Sequence, residues 1–182
     1  AVREQVLPLR KSLMRNIEAM YGYMLNTVAT KGDMGVVTNI ESHSLPEMVP
    51  IPGKEIEDLL GEPLPADAQL RKDYAGAPRL IVTTQRSSVR PGESLPLTAI
   101  LLDTAPAQDG AVFWRPMGTG SFAAIPLQLD ARSTYKAEIP AKQIRDRDIE
   151  YYITVRTKAG ETLHWPASAP ALNQTVVQMA LQ

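Results

Sequence analysis

The sequence contains no cysteine, and it carries almost no excess of charge of either sign. The absence of cysteine excludes disulfide bonds and thiolate metal sites, and it leaves the redox compartment open. Lysine and arginine number 19 against 20 aspartates and glutamates. A chain this close to neutral has no long-range attraction for polyanions, so we expect no nucleic-acid partner.

Long apolar runs are missing as well. No stretch approaches the roughly 20 residues that a helix needs to cross a bilayer, so we expect no membrane span. The motifs of common enzymes are equally absent: there is no glycine-flanked serine elbow, no phosphate loop and no HExxH pair. We therefore expect no catalytic residue, no cofactor and no metal in this chain, although it could form part of a larger enzyme.

Residues 148–160 show the clearest pattern that is present. Apolar and polar side chains alternate there with a period of two, which predicts a strand with one face in a core. The inward residues are Ile149, Tyr151, Ile153 and Val155, and the outward residues are Glu150, Tyr152, Thr154 and Arg156. A turn at 158–160 leads into a second strand at 162–165, so the segment predicts a β-hairpin.

Short strands separated by turn residues continue through the second half of the chain. They are predicted at 79–84, 95–101, 111–115, 122–127, 135–139, 149–156, 162–165 and 175–179. This spacing predicts an immunoglobulin- or fibronectin-III-like β-sandwich over residues 77–182. Pro96 cannot donate a ladder hydrogen bond, so we expect one side of its strand to be unpaired there.

The first half is predicted to be helical, with a connector that follows, which makes the chain α+β overall. Residues 3–30 repeat apolar side chains at steps of three and four, and Lys31-Gly32 is expected to end that helix. The apolar stripe comprises Val6, Leu9, Leu13, Ile17, Met20, Met24 and Val28. It could pack on the sandwich, or its central residues, Leu13, Ile17, Met20 and Met24, could dock on a domain absent from this chain.

The rest of the N-terminal domain, 1–76, is predicted to be a loop, a short helix and an extended connector. The loop at 32–46 holds Asn39, Glu41 and His43, which could line a neighbouring cleft, although no third ligand is suitably spaced for a metal. The short helix at 54–60 should turn Ile56, Leu59 and Leu60 inward and stop at Gly61. A proline-rich connector then runs to a domain boundary at Gly76.

Four aromatic residues are candidates for stacking on a sugar ring: Trp165, Tyr152, Phe113 and Trp114. The alternative for both tryptophans is core packing, because Trp114 alternates in phase with Val112 and Trp165 shares a face with Leu163. We expect Tyr151 to bury its ring and bond a loop backbone, and His164 to face solvent. Asn173-Gln174-Thr175 matches a glycosylation acceptor by pattern.

Several short motifs resemble a known bacterial module. They are Val112-Phe113-Trp114-Arg115-Pro116, Tyr135-Lys136-Ala137-Glu138-Ile139-Pro140 and Ile149-Glu150-Tyr151-Tyr152-Ile153. Over residues 79–179 the chain is similar to the fibronectin/Ig-like modules appended to secreted hydrolases, with Trp114 in place of the usual tyrosine. The segment with Met20-Tyr21-Gly22-Tyr23 and residues 32–43 resembles the part that joins a catalytic domain to such a module in large bacterial glycoside hydrolases.

This resemblance implies a non-catalytic accessory region of a carbohydrate-active enzyme, in the periplasm or outside the cell. Its partner would be a catalytic domain of the same or a parent polypeptide, and a polysaccharide is a further candidate ligand. Because the chain begins at Ala1, we expect a removed leader or a piece of a longer polypeptide. Two alternatives are a carbohydrate-binding module that uses exposed aromatic rings, and a protein-interaction or adhesion module that uses the sandwich edge near Pro96.

Overall fold

The computed structural model describes residues 1–71, 73–144 and 147–179. The chain divides into two compact units, Ala1–Asp73 and Tyr74–Gln182. The boundary predicted from the sequence was Gly76. We call these parts the helical unit and the sandwich and describe each by itself.

In its described residues, 1–71 and 73, the helical unit contains seven helical elements. They are a π-helical turn at Val2–Val6, α1 at Leu7–Thr27, α2 at Lys31–Asn39, a π-helical turn at Ile40–Ser44, α3 at Leu45–Met48, α4 at Pro50–Leu60 and a 3₁₀ turn at Ala66–Ala68. The long predicted helix is therefore shorter than expected, and helix continues where a loop was predicted.

A capping box explains both errors. The Asp33 backbone N–H donates to the Thr30 hydroxyl at 3.2 Å, and the Thr30 backbone N–H donates to the Asp33 carboxylate at 2.8 Å. These two bonds begin a new helix at Lys31, so Lys31-Gly32 starts α2 instead of ending α1. The spacing of threonine and an acidic residue was the signal that the sequence analysis missed.

The core of the helical unit is small. Ile56, Leu64 and Ala68 are buried together. Arg10 is buried beside them, and its guanidinium donates from Nε to the Ala68 carbonyl at 3.1 Å and from Nη2 to the Val49 carbonyl at 2.8 Å. A Cβ at Gly53 would lie 2.8 Å from Nη2, so a larger residue there would displace the Arg10 guanidinium.

The prediction for α4 is confirmed only in part. Gly61 ends the helix in the left-handed conformation, with φ of 71°, as a C-terminal glycine should. Ile56 is buried and Leu60 is half-buried, but Leu59 is 71% exposed, so its inward placement was wrong.

The sandwich contains ten strands in the described residues. They are β1 at Arg79–Val82, β2 at Ser88–Val89, β3 at Leu95–Leu102, β4 at Asp109–Pro116, β5 at Ala123–Pro126, β6 at Gln128–Ala131, β7 at Thr134–Ile139, β8 at Ile149–Arg156, β9 at Thr162–Trp165 and β10 at Gln174–Gln178. The short strands β2 and β6 were not predicted, because neither has an apolar alternation of its own.

The strand order identifies an immunoglobulin-like sandwich. One sheet has the order β1-β3-β7-β6 and the other β2-β10-β8-β4-β5, with β9 pairing β8 beyond the end of β10. The pairs are antiparallel except for β2 and β10, which run parallel. Two sheets with consecutive strands distributed in this way form the immunoglobulin arrangement. The chain therefore combines helices with an Ig-like β-sandwich, an α+β composition.

The predicted alternation is confirmed in β3 and β8, whereas in β10 the buried residue is Val176, and Val177 and Met179 of the predicted last strand are exposed. All four inward residues of β8 are fully buried, and so are Leu95, Leu97, Ala99 and Leu101 of β3. Pro96 pairs with Glu138 of β7, whereas β1 pairs only with positions 99–102, so the expected unpaired side is present. Within the described residues β1 does not reach Pro96, so β3 has a local open edge at this position, which is the edge that the adhesion alternative uses.

Candidate functional site

The outer face of the second sheet brings its most distinctive side chains together. Ile149, Tyr151 and Ile153 of β8 point into the core, so the residues that alternate with them, Glu150 and Tyr152, point outward. The register of β4 and β8 then places Phe113 beside Tyr152 and Arg115 beside Glu150. We call this surface the outer aromatic face.

Three aromatic rings and one guanidinium group contact one another on that face. Phe113 stacks on Tyr152 with ring centroids 4.9 Å apart and planes 10° apart. Phe122 meets Tyr152 edge-on at 5.0 Å, and the Arg115 guanidinium carbon lies 4.3 Å from the centre of the Phe122 ring. All three rings are half-buried. Much of each ring is thus used by its neighbours, as in cross-strand pairs that stabilise a sheet.

Glu150 joins this cluster to two loops. Its Oε2 accepts from Asn173 Nδ2 at 2.9 Å, and its Oε1 accepts from Arg115 Nε at 2.8 Å and from the Gly118 backbone N–H at 3.1 Å. These hydrogen bonds, that of Asn173 first, hold the pKa of Glu150 below its usual value. A carboxylate held ionised and engaged on both oxygens is poorly placed for general acid or base chemistry.

The four predicted aromatic candidates do not form one site. Phe113 and Tyr152 lie together on the outer aromatic face. Trp114 is buried in the core, with 8% of its surface exposed, so the core alternative is the one that the structure supports for it. Trp165 is half-buried on the inner face, 5.8 Å from the Tyr151 ring. Phe122 was not among the predicted aromatic candidates, because its contact with Tyr152 of β8 crosses β4.

His164 lies on the outer side of β9, opposite Leu163, where it is half-buried with its Nδ1 3.0 Å from the Thr154 hydroxyl. One expectation about the polar groups of these strands needs correction. The Tyr151 ring is buried as expected, but its hydroxyl has no hydrogen-bond partner among the described residues. Tyr135 takes the expected role instead, since its hydroxyl accepts from the Ala107 backbone N–H at 2.8 Å.

The structure places Asn39, Glu41 and His43 on one helical stretch, where all three are exposed. His43 Nδ1 lies 3.3 Å from the Asn39 carbonyl oxygen, a local contact of the kind expected for capping. Burial, with a smaller contribution from the charge of Glu41, raises the pKa of Tyr21. Within residues 1–71, 73–144 and 147–179, no group of three histidine, aspartate or glutamate side chains could hold a metal ion.

Helix α1 exposes apolar side chains along one side. Its buried residues are Arg10 and Met14, whereas Leu9, Leu13, Met20 and Tyr23 are exposed, and Val6 is exposed just before the helix. We call these five residues the exposed stripe. Of the predicted docking residues, Leu13 and Met20 belong to it, and Ile17 and Met24 are half-buried at its border.

The exposed stripe is free of charge. At about 100° per residue its members span roughly 100° of the helix circumference. The charged residues of α1, which are Arg10, Lys11, Arg15 and Glu18, fall outside that arc. In the part of the chain that the structure describes, no helix is long and apolar enough to cross a membrane.

Comparisons with known proteins identify no family for this chain. No protein-family model and no curated protein sequence matches the chain. An engineered protein of known structure is 19% identical, with a TM-score of 0.41, over 72% of this chain and 29% of its own. Murine CRIg is 11% identical, with a TM-score of 0.33, over 59% of this chain and all of its own. This chain therefore spans under a third of the engineered protein, and the fold rests on the strand order.

Proposed function

We propose that the chain is a non-catalytic accessory region whose helical unit docks onto a catalytic domain through the exposed stripe. The observation that carries this proposal is the uncharged apolar surface of Leu9, Leu13, Met20 and their neighbours on α1. Contiguous exposed apolar surface on a protein commonly marks a place where another protein binds.

The balance of apolar residues in the helical unit supports the proposal. Its exposed large apolar residues are Val6, Leu9, Leu13, Met20, Tyr23, Val36, Met48, Ile51 and Leu59. Its buried apolar residues are fewer: Met14, Val37, Val49, Ile56, Leu64 and Ala68. A unit that exposes more large apolar side chains than it buries gains stability when a partner covers them.

Charge favours a protein partner over a lipid surface. Helices that lie on membranes flank their apolar face with lysine and arginine, which attract anionic headgroups. Here Arg3 pairs with Glu62, Lys11 with Asp67 and Glu18 with Arg71. Leucine, methionine and tyrosine next to neutral polar residues match the centre of a protein interface better.

The nature of the partner rests on the sequence resemblance. That resemblance supports a catalytic domain of a secreted carbohydrate-active enzyme, hence a periplasmic or extracellular location. Within such an assembly, Asn39, Glu41 and His43 are exposed side chains that could reach a neighbouring cleft.

Cysteine labelling of the full gene product tests the docking proposal. The chain has no cysteine of its own, so Leu13→Cys introduces a unique probe in the exposed stripe. Arg15→Cys is the matched control, because Arg15 is exposed and lies about 160° around the helix from Leu13. Maleimide reaction at each site is followed by mass spectrometry of the α1 peptide.

The two sites should respond differently. In the isolated chain both cysteines should react quickly, and in the full gene product Leu13→Cys should be protected at least about tenfold while Arg15→Cys stays reactive. Equal reactivity at Leu13→Cys in the isolated chain and in the full product would overturn the docking proposal.

A second candidate function is carbohydrate binding by the outer aromatic face, favoured by the outward Phe113–Tyr152 pair. Titration with oligosaccharides should then produce heat by calorimetry and shift the ring resonances of both residues. Phe113→Ala should abolish the response, whereas Leu129→Ala, an exposed residue of the other sheet, should not. Tryptophan fluorescence is a poor reporter here, because neither tryptophan lies on this face. No heat with any glycan would remove this candidate.

A further inference from the structure

We infer that the helical unit is an order–disorder element, which unfolds separately from the sandwich and is stabilised when its exposed stripe is covered. The first part stands on the two units alone, and the second part rests on the proposed docking function. Such an element would make the folding of the helices a step in assembly, because order gained on docking is linked to binding.

The apolar cores of the two units differ in size. The buried cluster of the helical unit contains Ile56, Leu64 and Ala68, with Val2, Leu7 and Leu60 partly buried against it. The sandwich buries sixteen residues in one cluster drawn from both sheets. Since burial of apolar area is the main source of stability, a unit with a much smaller cluster opens at a lower free-energy cost.

Internal glycines weaken the helices in the same direction. Gly22 lies inside α1, and Gly32 and Gly35 lie inside α2. Glycine inside a helix lowers its stability, because glycine loses more backbone freedom on folding than other residues do.

Ion pairs and side-chain hydrogen bonds stabilise the helical unit only slightly. The ion pairs of α1 and its N-terminal turn, Arg3–Glu62, Lys11–Asp67 and Glu18–Arg71, each include at least one side chain that is 60% or more exposed. Exposed pairs of this kind contribute little. Arg10 is the buried side chain of this kind, and its guanidinium donates to two backbone carbonyls. Among the described residues no carboxylate lies within ion-pair distance of it.

Each unit carries its own spectroscopic reporter. Both tryptophans of the sequence, Trp114 and Trp165, lie in the sandwich. The described α-helices, α1 to α4, all lie in the helical unit. Ellipticity at 222 nm therefore follows the helical unit, and tryptophan fluorescence follows the sandwich, in the same unlabelled sample.

Urea titration of the intact chain tests the first part of the inference. The loss of ellipticity should have its midpoint about 1 M urea or more below the change in fluorescence. Ile56→Val should lower only the ellipticity midpoint, and the matched Ile153→Val should lower only the fluorescence midpoint. Coincident midpoints, or a joint shift in either variant, would show one cooperative unit and overturn the inference.

The full gene product tests the second part and separates it from the docking proposal. Hydrogen exchange at the α1 amides should slow at least about tenfold relative to the isolated chain, while exchange at β8 stays the same. If Leu13→Cys is protected there but α1 exchange is unchanged, docking holds and linked folding fails. If Leu13→Cys is not protected, docking fails, and the separate midpoints still decide the first part.

Discussion

Two tyrosines buried in the same sandwich core differ in what their hydroxyl groups contact. The Tyr135 hydroxyl accepts from the Ala107 backbone N–H, whereas the Tyr151 hydroxyl has no partner within the described residues. Burial also raises the pKa of Tyr151, as expected for a phenol removed from water. The ring of each residue serves the core, but only one hydroxyl adds a hydrogen bond to the fold.

Phenylalanine substitutions should separate the two residues. Tyr135→Phe leaves the Ala107 amide without its acceptor, so we expect a loss of about 1–2 kcal/mol in the free energy of unfolding. Tyr151→Phe removes a buried polar atom that bonds nothing in the described structure, and we expect no loss, or a slight gain. Urea denaturation read by tryptophan fluorescence measures both, and equal losses would contradict this assignment.

Glu150 is the second residue whose role is specific. Its carboxylate is 12% exposed and accepts three hydrogen bonds, from Asn173, Arg115 and Gly118. The Asn173 amide is thereby engaged, with its Oδ1 buried, which argues against glycosylation at the Asn173 acceptor pattern. The carboxylate connects β8 to the turn after β4 and to the loop before β10.

Removing that charge should weaken the sandwich in a pH-dependent way. Glu150→Gln should lower the free energy of unfolding by about 1–3 kcal/mol at pH 7. The folded pKa of Glu150 is depressed, so its contribution is complete above the unfolded value near 4.5 and is lost as pH falls through the folded pKa. The difference between wild type and variant should therefore shrink in acid. Glu138→Gln, on an exposed position of β7, is the control and should change little.

At the scale of elements, the start of α2 depends on two side chains. Thr30 and Asp33 satisfy each other's backbone N–H groups. The hydrogen bonds to the Asp33 carboxylate, from the Ala29 backbone N–H first and then from Thr30, lower its pKa. A depressed carboxylate pKa means that the cap is at full strength above the unfolded pKa and weakens as pH falls through the folded pKa. This cap separates α1 from α2 in a stretch rich in small residues.

Substitution at this cap should lower the stability of α2 alone. Thr30→Ala should destabilise α2 by about 1 kcal/mol, because the Asp33 amide loses its acceptor. Hydrogen exchange of the α2 amides should speed up, with no change in the strands of the sandwich. Thr38→Ala, exposed in the last turn of the same helix, is the control. Unchanged exchange in Thr30→Ala would contradict the role of this cap.

At the scale of the whole molecule, the sandwich has what an autonomous domain needs. It has a single core, two hydrogen-bonded sheets and few exposed large apolar residues, among them Met117, Leu129 and Leu172. The helical unit lacks a comparable core. The chain therefore joins a domain with a large apolar core to a helical part with a small one.

Separating the units should show this asymmetry. A polypeptide of residues 74–182 should fold, with dispersed amide resonances and the tryptophan fluorescence of the parent chain. A polypeptide of residues 1–73 should unfold at the same low urea midpoint as the ellipticity of the intact chain and should bind a hydrophobic dye, because it buries little apolar area. A 1–73 fragment that unfolds at the fluorescence midpoint of the sandwich would contradict this expectation.

The sequence by itself determined which faces of β3 and β8 are buried. Alternation of apolar and polar residues is a property of consecutive positions, so the inward residues of β3 and β8 could be predicted without knowing the partner strands. Helix boundaries are local as well, and the error at Lys31 came from overlooking Thr30 and Asp33. That miss was a failure of interpretation, since the information is in the sequence.

Only the tertiary structure decided which side chains meet across strands and which apolar residues stay exposed. The contacts of Phe122 with Tyr152 and of Ala107 with Tyr135 depend on register between segments far apart in the chain. Likewise, the periodicity of α1 shows several apolar positions, but the buried side is set by what surrounds Arg10 and Met14. The hydrophobic period is a local property of the sequence, whereas the contacts of a side chain depend on how distant segments pack. The packing around Arg10 and Met14 therefore decides which side of α1 is exposed.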